Sequence, residues 1–168
     1  MVPARSRRLL VAVGTALFVS SHGVPAARAE IFDGSGFEPI SWGMQIDEVE
    51  RVIGRSVSRL RNTHSDYEYL QTSRYQYLGC TYELLLNFEG QGGRLSEIVL
   101  THHGGTKAEV AERPCRDGLS RLREKIGPPI AVSSGVQMWR VSNTTVTVME
   151  GRGGEFQIRY TTTKPLTK

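Results

Sequence analysis

The stretch CTYELLLNF, Cys80–Phe88, admits one regular structure: its apolar side chains Cys80, Tyr82, Leu84, Leu86 and Phe88 recur at every second position. Alternation at period two gathers such residues on one face of an extended strand and would scatter them around a helix. The next five residues, EGQGG (Glu89–Gly93), lead into a second strand pattern, RLSEIVLTH (Arg94–His102). The three form a hairpin whose glycines supply the positive φ of the connection. The same turn returns with one change as EGRGG (Glu150–Gly154), ahead of EFQIRYTTT (Glu155–Thr163), where Phe156, Ile158 and Tyr160 alternate. A P-loop requires Gly-x-x-x-x-Gly-Lys-Ser/Thr, and a dinucleotide loop must open into a helix. Both turns here open into strands, so they are structural hairpins.

Further strands are expected at GVQMWRV (Gly135–Val141) and TTVTVM (Thr144–Met149), joined by a Ser142-Asn143 turn in which Asn takes the left-handed conformation. Tyr67 and Tyr69, then Tyr75 and Tyr77, alternate over one or two short strands, and the polar, basic run 55–66 before them reads as a loop. Two segments carry helical spacing. MQIDEVERVIG places Ile46, Val49, Val52 and Ile53 on one face, with Gly54 as its C-terminal cap, although Gln45 stands where Ser, Thr or Asp would start it. A second helix begins near Pro114, after a capping box at Thr106–Glu109. It aligns Cys115, Leu119, Leu122 and Ile126 in one stripe and stops at Gly127–Pro129.

The two helices end on Ile-Gly and each precedes strands with a Glu-Gly-x-Gly-Gly turn. The order predicts an α+β fold built as a tandem degenerate repeat of helix plus antiparallel strands, with the helices packed on an antiparallel sheet. Its expected organisation is an extended lead-in over 30–43, one domain over 44–163 with pseudo-repeats at about 44–103 and 106–163, and a tail over 164–168.

Residues 1–29 read as a cleavable export signal. Arg5, Arg7 and Arg8 precede the apolar run Leu9–Ser20, of 12 residues, which is shorter than the roughly 20 of a membrane span. Ala27–Ala29 give a small-x-small cleavage motif, placing the cut between Ala29 and Glu30. Ser6-Arg7-Arg8 is similar to a twin-arginine signal, but the short n-region and the lack of a cofactor motif favour the general secretory route; both routes lead to the periplasm or beyond. Of the 21 basic residues, Arg5, Arg7, Arg8 and Arg28 leave with the signal, so the remainder balances the 17 acidic ones. The basic excess therefore belongs to the leader, and no nucleic-acid partner is expected.

Two cysteines, Cys80 and Cys115, remain for an oxidising compartment. They read as one structural disulfide, because reactive dithiols sit closer in sequence, as in Cys-x-x-Cys. Closing a loop of 35 residues stabilises by roughly 3–4 kcal/mol. His102-His103 is the only histidine cluster, and neighbours in a strand point to opposite faces, so no metal site is read there. No Gly-x-Ser-x-Gly motif or paired catalytic carboxylates stand out, and Asp47, Glu48 and Glu50 answer the dipole of the first helix. No catalytic residue, cofactor or metal is expected. The candidate partner-binding set is Arg59, Arg61, Tyr67, Tyr69, Arg74, Tyr75 and Tyr77, since Tyr and Arg carry much interface energy. Packing of some of these tyrosines within the sheet is the alternative.

ISWGMQIDEVERVIG (Ile40–Gly54) resembles the Trp-Gly-Met-x4-Val-x3-Ile/Leu-Gly opening of many small exported bacterial proteins. It is also similar to the first helix of the SmpA/OmlA assembly lipoproteins and of the related β-lactamase-inhibitor-protein fold. The resemblance implies a non-enzymatic, protein-binding architecture; no lipid-attachment Cys is present and no inhibitory loop carries over. The expected function is a periplasmic binding or envelope-accessory module that contacts an envelope protein or a cell-wall component. A small periplasmic enzyme, or an inhibitor of one, is the alternative.

Overall fold

The structure, a computed structural model, describes residues 36–37, 40–54, 57–62, 67–89, 93–104 and 113–163. The expected export signal with its cleavage point at Ala29–Glu30, the expected capping box at Thr106–Glu109, Gly90–Gly92 of the first glycine turn and the tail at 164–168 lie outside the described residues.

Two short strands, β1 (Gly36–Phe37) and β2 (Ile40–Ser41), pair with each other and lead into helix α1 (Ile46–Ile53). The expected weak start of α1 is reinforced from within: the Glu48 carboxylate accepts the Gln45 backbone N–H at 2.8 Å. Then follow β3 (Ser58–Arg61), β4 (Glu68–Tyr77), β5 (Cys80–Glu89), β6 (Arg94–His102), helix α2 (Arg113–Ile126), β7 (Ala131–Ser133), β8 (Val136–Val141), β9 (Thr144–Glu150) and β10 (Phe156–Thr162). The larger sheet has the order β3-β4-β5-β6-β10-β9-β8-β7, antiparallel throughout.

This architecture overturns the α+β tandem repeat. The described residues form a predominantly β structure, one continuous eight-stranded sheet, with helices of only 8 and 14 residues. More of the chain pairs than its alternation reveals. Ser58–Arg61, inside the expected basic loop, is edge strand β3; Ala131–Ser133 is edge strand β7; and β4 runs unbroken for 10 residues. β6 and β10 pair from Glu97–Thr161 to His102–Phe156, so no boundary separates 44–103 from 106–163 as packed units. The core follows suit. α1 contributes Ile46 and Val49, α2 contributes Cys115, Leu119 and Leu122, and the other buried apolar side chains come from strands. Val52, expected on the inner face of α1, is exposed.

Both helices lie on one face of the sheet, α1 against β4 and α2 against β5. The end of α2 is fixed as its Gly-Pro-Pro stop requires. Gly127 takes φ +81°, and its carbonyl accepts the Trp139 indole N–H at 2.7 Å. Trp42 ties the lead-in to β9 by donating to the Thr144 hydroxyl at 2.8 Å. The β8–β9 turn places the positive φ on Ser142, at +52°, where Asn143 was expected to carry it. Arg152–Gly154 of the second glycine turn forms one turn of 3-10 helix between β9 and β10. The Cys80–Cys115 disulfide is formed and pins α2 to the first residue of β5.

Candidate functional site

Directly paired residues in an antiparallel ladder share a face, so the register sorts every strand residue to one side. Beneath the helices lie Leu70, Tyr77, Tyr82, Leu84, Leu86, Ile98, Leu100, Ile158, Tyr160, Val146, Val148 and Trp139, all buried. The opposite face carries Tyr69, Gln71, Glu83, Leu85, Asn87, Glu97, Val99, Thr101, Gln157, Arg159, Thr147, Met149 and Met138. No described helix covers that face.

Its polar groups bond to one another across strands. Gln71 donates to Glu83 at 2.5 Å, Asn87 to Glu97 at 2.6 Å, and Gln157 to Thr101 at 3.2 Å; Arg159 pairs with Glu97 at 3.3 Å. Leu85 and Val99, a direct pair, form an apolar centre within this lattice.

The sequence-predicted binding residues separate. Tyr67 and Tyr69 sit together at the β3–β4 end and line a shallow depression of about 340 Å³ with Asn62, Glu68, Asn87, Phe88, Glu89 and Glu97. Tyr67 is exposed by 54 %. Tyr75 and Tyr77 belong instead to the helix-covered side, among Tyr82 and Tyr160. The Tyr77 and Tyr160 hydroxyls share a hydrogen bond of 3.2 Å, and Tyr82 packs at 6.2 Å from Tyr77. Burial, together with the neighbouring Tyr77, pushes Tyr75 up to about 12, and burial likewise raises Tyr77, Tyr82 and Tyr160. Tyr77, Tyr82 and Tyr160 are core residues, and half-buried Tyr75 packs against them.

A single irregularity causes the split. Thr72 pairs with Leu84, and regular pairing would set Arg74 opposite Tyr82; the register shifts and Tyr75 takes that position. One extra residue in β4 reverses which face the odd-numbered positions occupy, so Tyr69 looks out and Tyr75 looks in.

The arginines also differ in role. Arg59 bonds Asp47 and Glu68, each at 2.6 Å, and lies 3.8 Å from Glu50, joining β3 to α1 and β4. The hydrogen bonds to Glu68 and Asp47 raise its already high pKa, and Arg59 in turn lowers that of Glu68. Arg59 is thus engaged within the molecule. Arg61 and Arg74 are exposed on β3 and β4.

At the far end of the covered face, His102 reaches the disulfide. Its Nδ1 lies 3.3 Å from Cys80 Sγ, 4.0 Å from Cys115 Sγ and 3.2 Å from the Thr81 carbonyl oxygen. His103, on the other face, meets Glu83 at 3.0 Å, the divergence expected of adjacent strand residues. No spacing in the chain announces the His102–cysteine cluster. Its three members are brought together by the β5–β6 pairing and the placement of α2, neither of which short-range spacing encodes.

The chain matches no known family model, no curated protein and no solved structure.

Proposed function

We propose that this protein is an exported binding module that engages a basic segment of an envelope protein at the Tyr67–Tyr69 end of its uncovered sheet face. The observation that carries this reading is the composition of the depression there. Two tyrosine rings stand beside three carboxylates. Glu68 is held by Arg59 and Glu97 by Arg159, which leaves Glu89, exposed at the end of β5, as the carboxylate to meet an incoming cation. A Lys or Arg side chain laid against the tyrosine faces gains a cation–π attraction of about 0.5–2 kcal/mol, and more from the carboxylate as water is excluded. Half-buried Leu85, further along the face, would receive an apolar neighbour of that segment. The export signal read at 1–29 and the Cys80–Cys115 disulfide support an envelope setting.

Affinity capture tests this. Oxidised protein is immobilised, envelope extract is passed over it, and retained proteins are identified. The expected result is one dominant protein, lost with Tyr67→Ala/Tyr69→Ala, weakened by Glu89→Gln and by added salt, and unaffected by Arg74→Ala. Retention of nothing specific, or equal retention by the Tyr67→Ala/Tyr69→Ala variant, would overturn the reading.

A further inference from the structure

We infer that reduction of the Cys80–Cys115 disulfide uncovers a three-coordinate site for a soft d10 cation, of the Cu(I) class, held by both thiolates and His102 Nδ1. Among the described residues this is the group of metal-ligating side chains whose donor atoms converge, all within 4.8 Å of one another. The inference is independent of the sheet-face reading, which concerns the opposite side of the molecule.

Three features keep the donors together once the disulfide is open. α2 remains seated through Leu119 and Leu122, both buried in the core. Gly118 lies directly on the backbone of Leu78, in the turn that precedes Cys80. The imidazole is walled by Phe156, with ring centroids 5.0 Å apart, and by the edge of Tyr82 at 6.2 Å. Cys115 stands in the first turn of a 14-residue helix. Two soft thiolates and one imidazole between aromatic walls match a trigonal Cu(I) better than Zn(II), which takes four ligands.

The chemistry balances. A dithiol reductant transfers two electrons and two protons to the S–S bond, giving two thiols and the oxidised dithiol. Cu(I) then replaces both thiol protons, which pass to solvent. Nδ1 binds through its lone pair, so the ring proton moves from the Thr81 carbonyl side to Nε2.

The test uses protein reduced with a dithiol, desalted under nitrogen and titrated against the Cu(I)–bicinchoninate complex, whose colour reports the metal it keeps. The reduced protein is expected to withdraw one equivalent, the oxidised protein and Cys80→Ser/Cys115→Ser none, and His102→Gln to bind more weakly by roughly tenfold or more. X-ray absorption on the loaded protein should show two sulfur neighbours and one nitrogen. Circular dichroism follows folding alongside, and Cu(I) should raise the melting temperature of the reduced protein but not of the reduced His102→Gln variant. The inference falls if the reduced protein leaves the metal on the chelator, if the oxidised protein binds it equally, if His102→Gln changes nothing, or if the reduced chain unfolds and Cu(I) does not restore it.

Discussion

Gly118 offers the sharpest test of how α2 is seated, because two known effects act on it in opposite directions. It lies inside α2, where replacing Gly by Ala in a free helix gains up to about 1 kcal/mol. Here the added Cβ would come 2.9 Å from Leu78 Cβ and 3.3 Å from the Leu78 carbonyl carbon, and closer still to the carbonyl oxygen. The obstacle is backbone, and Leu78 itself sits in a turn at φ +51°, so no side-chain rotation clears it. The helix would have to lift, yet the disulfide at Cys115 tethers it three residues away. Overpacking of this kind costs about 1–3 kcal/mol, and a rigid, tethered contact belongs at the upper end. Subtracting the helix-propensity gain leaves Gly118→Ala destabilising by roughly 1–2 kcal/mol. Urea unfolding of the oxidised protein, followed by circular dichroism, measures this as a lower midpoint with an unchanged slope. The same substitution in Cys80→Ser/Cys115→Ser should cost less, because the freed helix can move away. If Gly118→Ala instead stabilises the oxidised protein, α2 does not rest on the Leu78 turn, and the account of its seating fails.

Four other outcomes are expected. Cys80→Ser/Cys115→Ser should lower the unfolding free energy by roughly 3–4 kcal/mol, as the loss of a 35-residue loop closure predicts, read from the urea midpoint. Trp42→Phe, which keeps the ring but removes the hydrogen bond to Thr144, should cost about 1 kcal/mol in the same assay. The contribution of the buried tyrosines to stability should be constant with pH up to about 10, the ordinary tyrosine value, and then fall. Tyr75, Tyr77, Tyr82 and Tyr160 are raised in the fold, so the unfolded chain releases these protons first. The loss continues as pH climbs through their raised folded values, visible as coincident tyrosinate absorbance and unfolding in strongly alkaline solution. Arg59→Leu should lower the urea midpoint only slightly, since its ion pairs are partly exposed, and by releasing the Glu68 carboxylate into the depression should strengthen, not weaken, the proposed capture of a basic segment.

The strands that build the core were legible because burial on one face writes period two into the chain, as at Cys80–Phe88 and Phe156–Tyr160. Helix α2 was legible from the stripe of Cys115, Leu119 and Leu122. Edge strands were not. All four residues of β3 and all three of β7 are exposed, so no burial constrains their composition and nothing alternates. Missing them made the helices look like half of the architecture. At the site, the tyrosines were visible as a group, but sorting them required the register shift between Thr72 and Tyr75, set by pairing with β5 and not by the residues of β4 alone. The engagement of Arg59 was hidden for a similar reason: its partner Asp47 lies on α1, 12 positions earlier in the chain. The cross-strand bonds of Asn87, Glu97 and Arg159 depend on strand order, which no local pattern states.

The strand order has a consequence for how the molecule is made. β10, the last of the described strands to leave the ribosome, is also the one that joins β6 to β9 in the middle of the sheet. Until it arrives, a nascent chain presents two bare inner edges bordered by Ile98, Leu100, Val146 and Val148, side chains that are buried in the finished fold. A stop codon or proteolytic cut ahead of Phe156 therefore removes a keystone, not a fringe, and turns one sheet into two adhesive fragments. Forms of the chain truncated there should therefore be found in aggregates before they are found as soluble fragments.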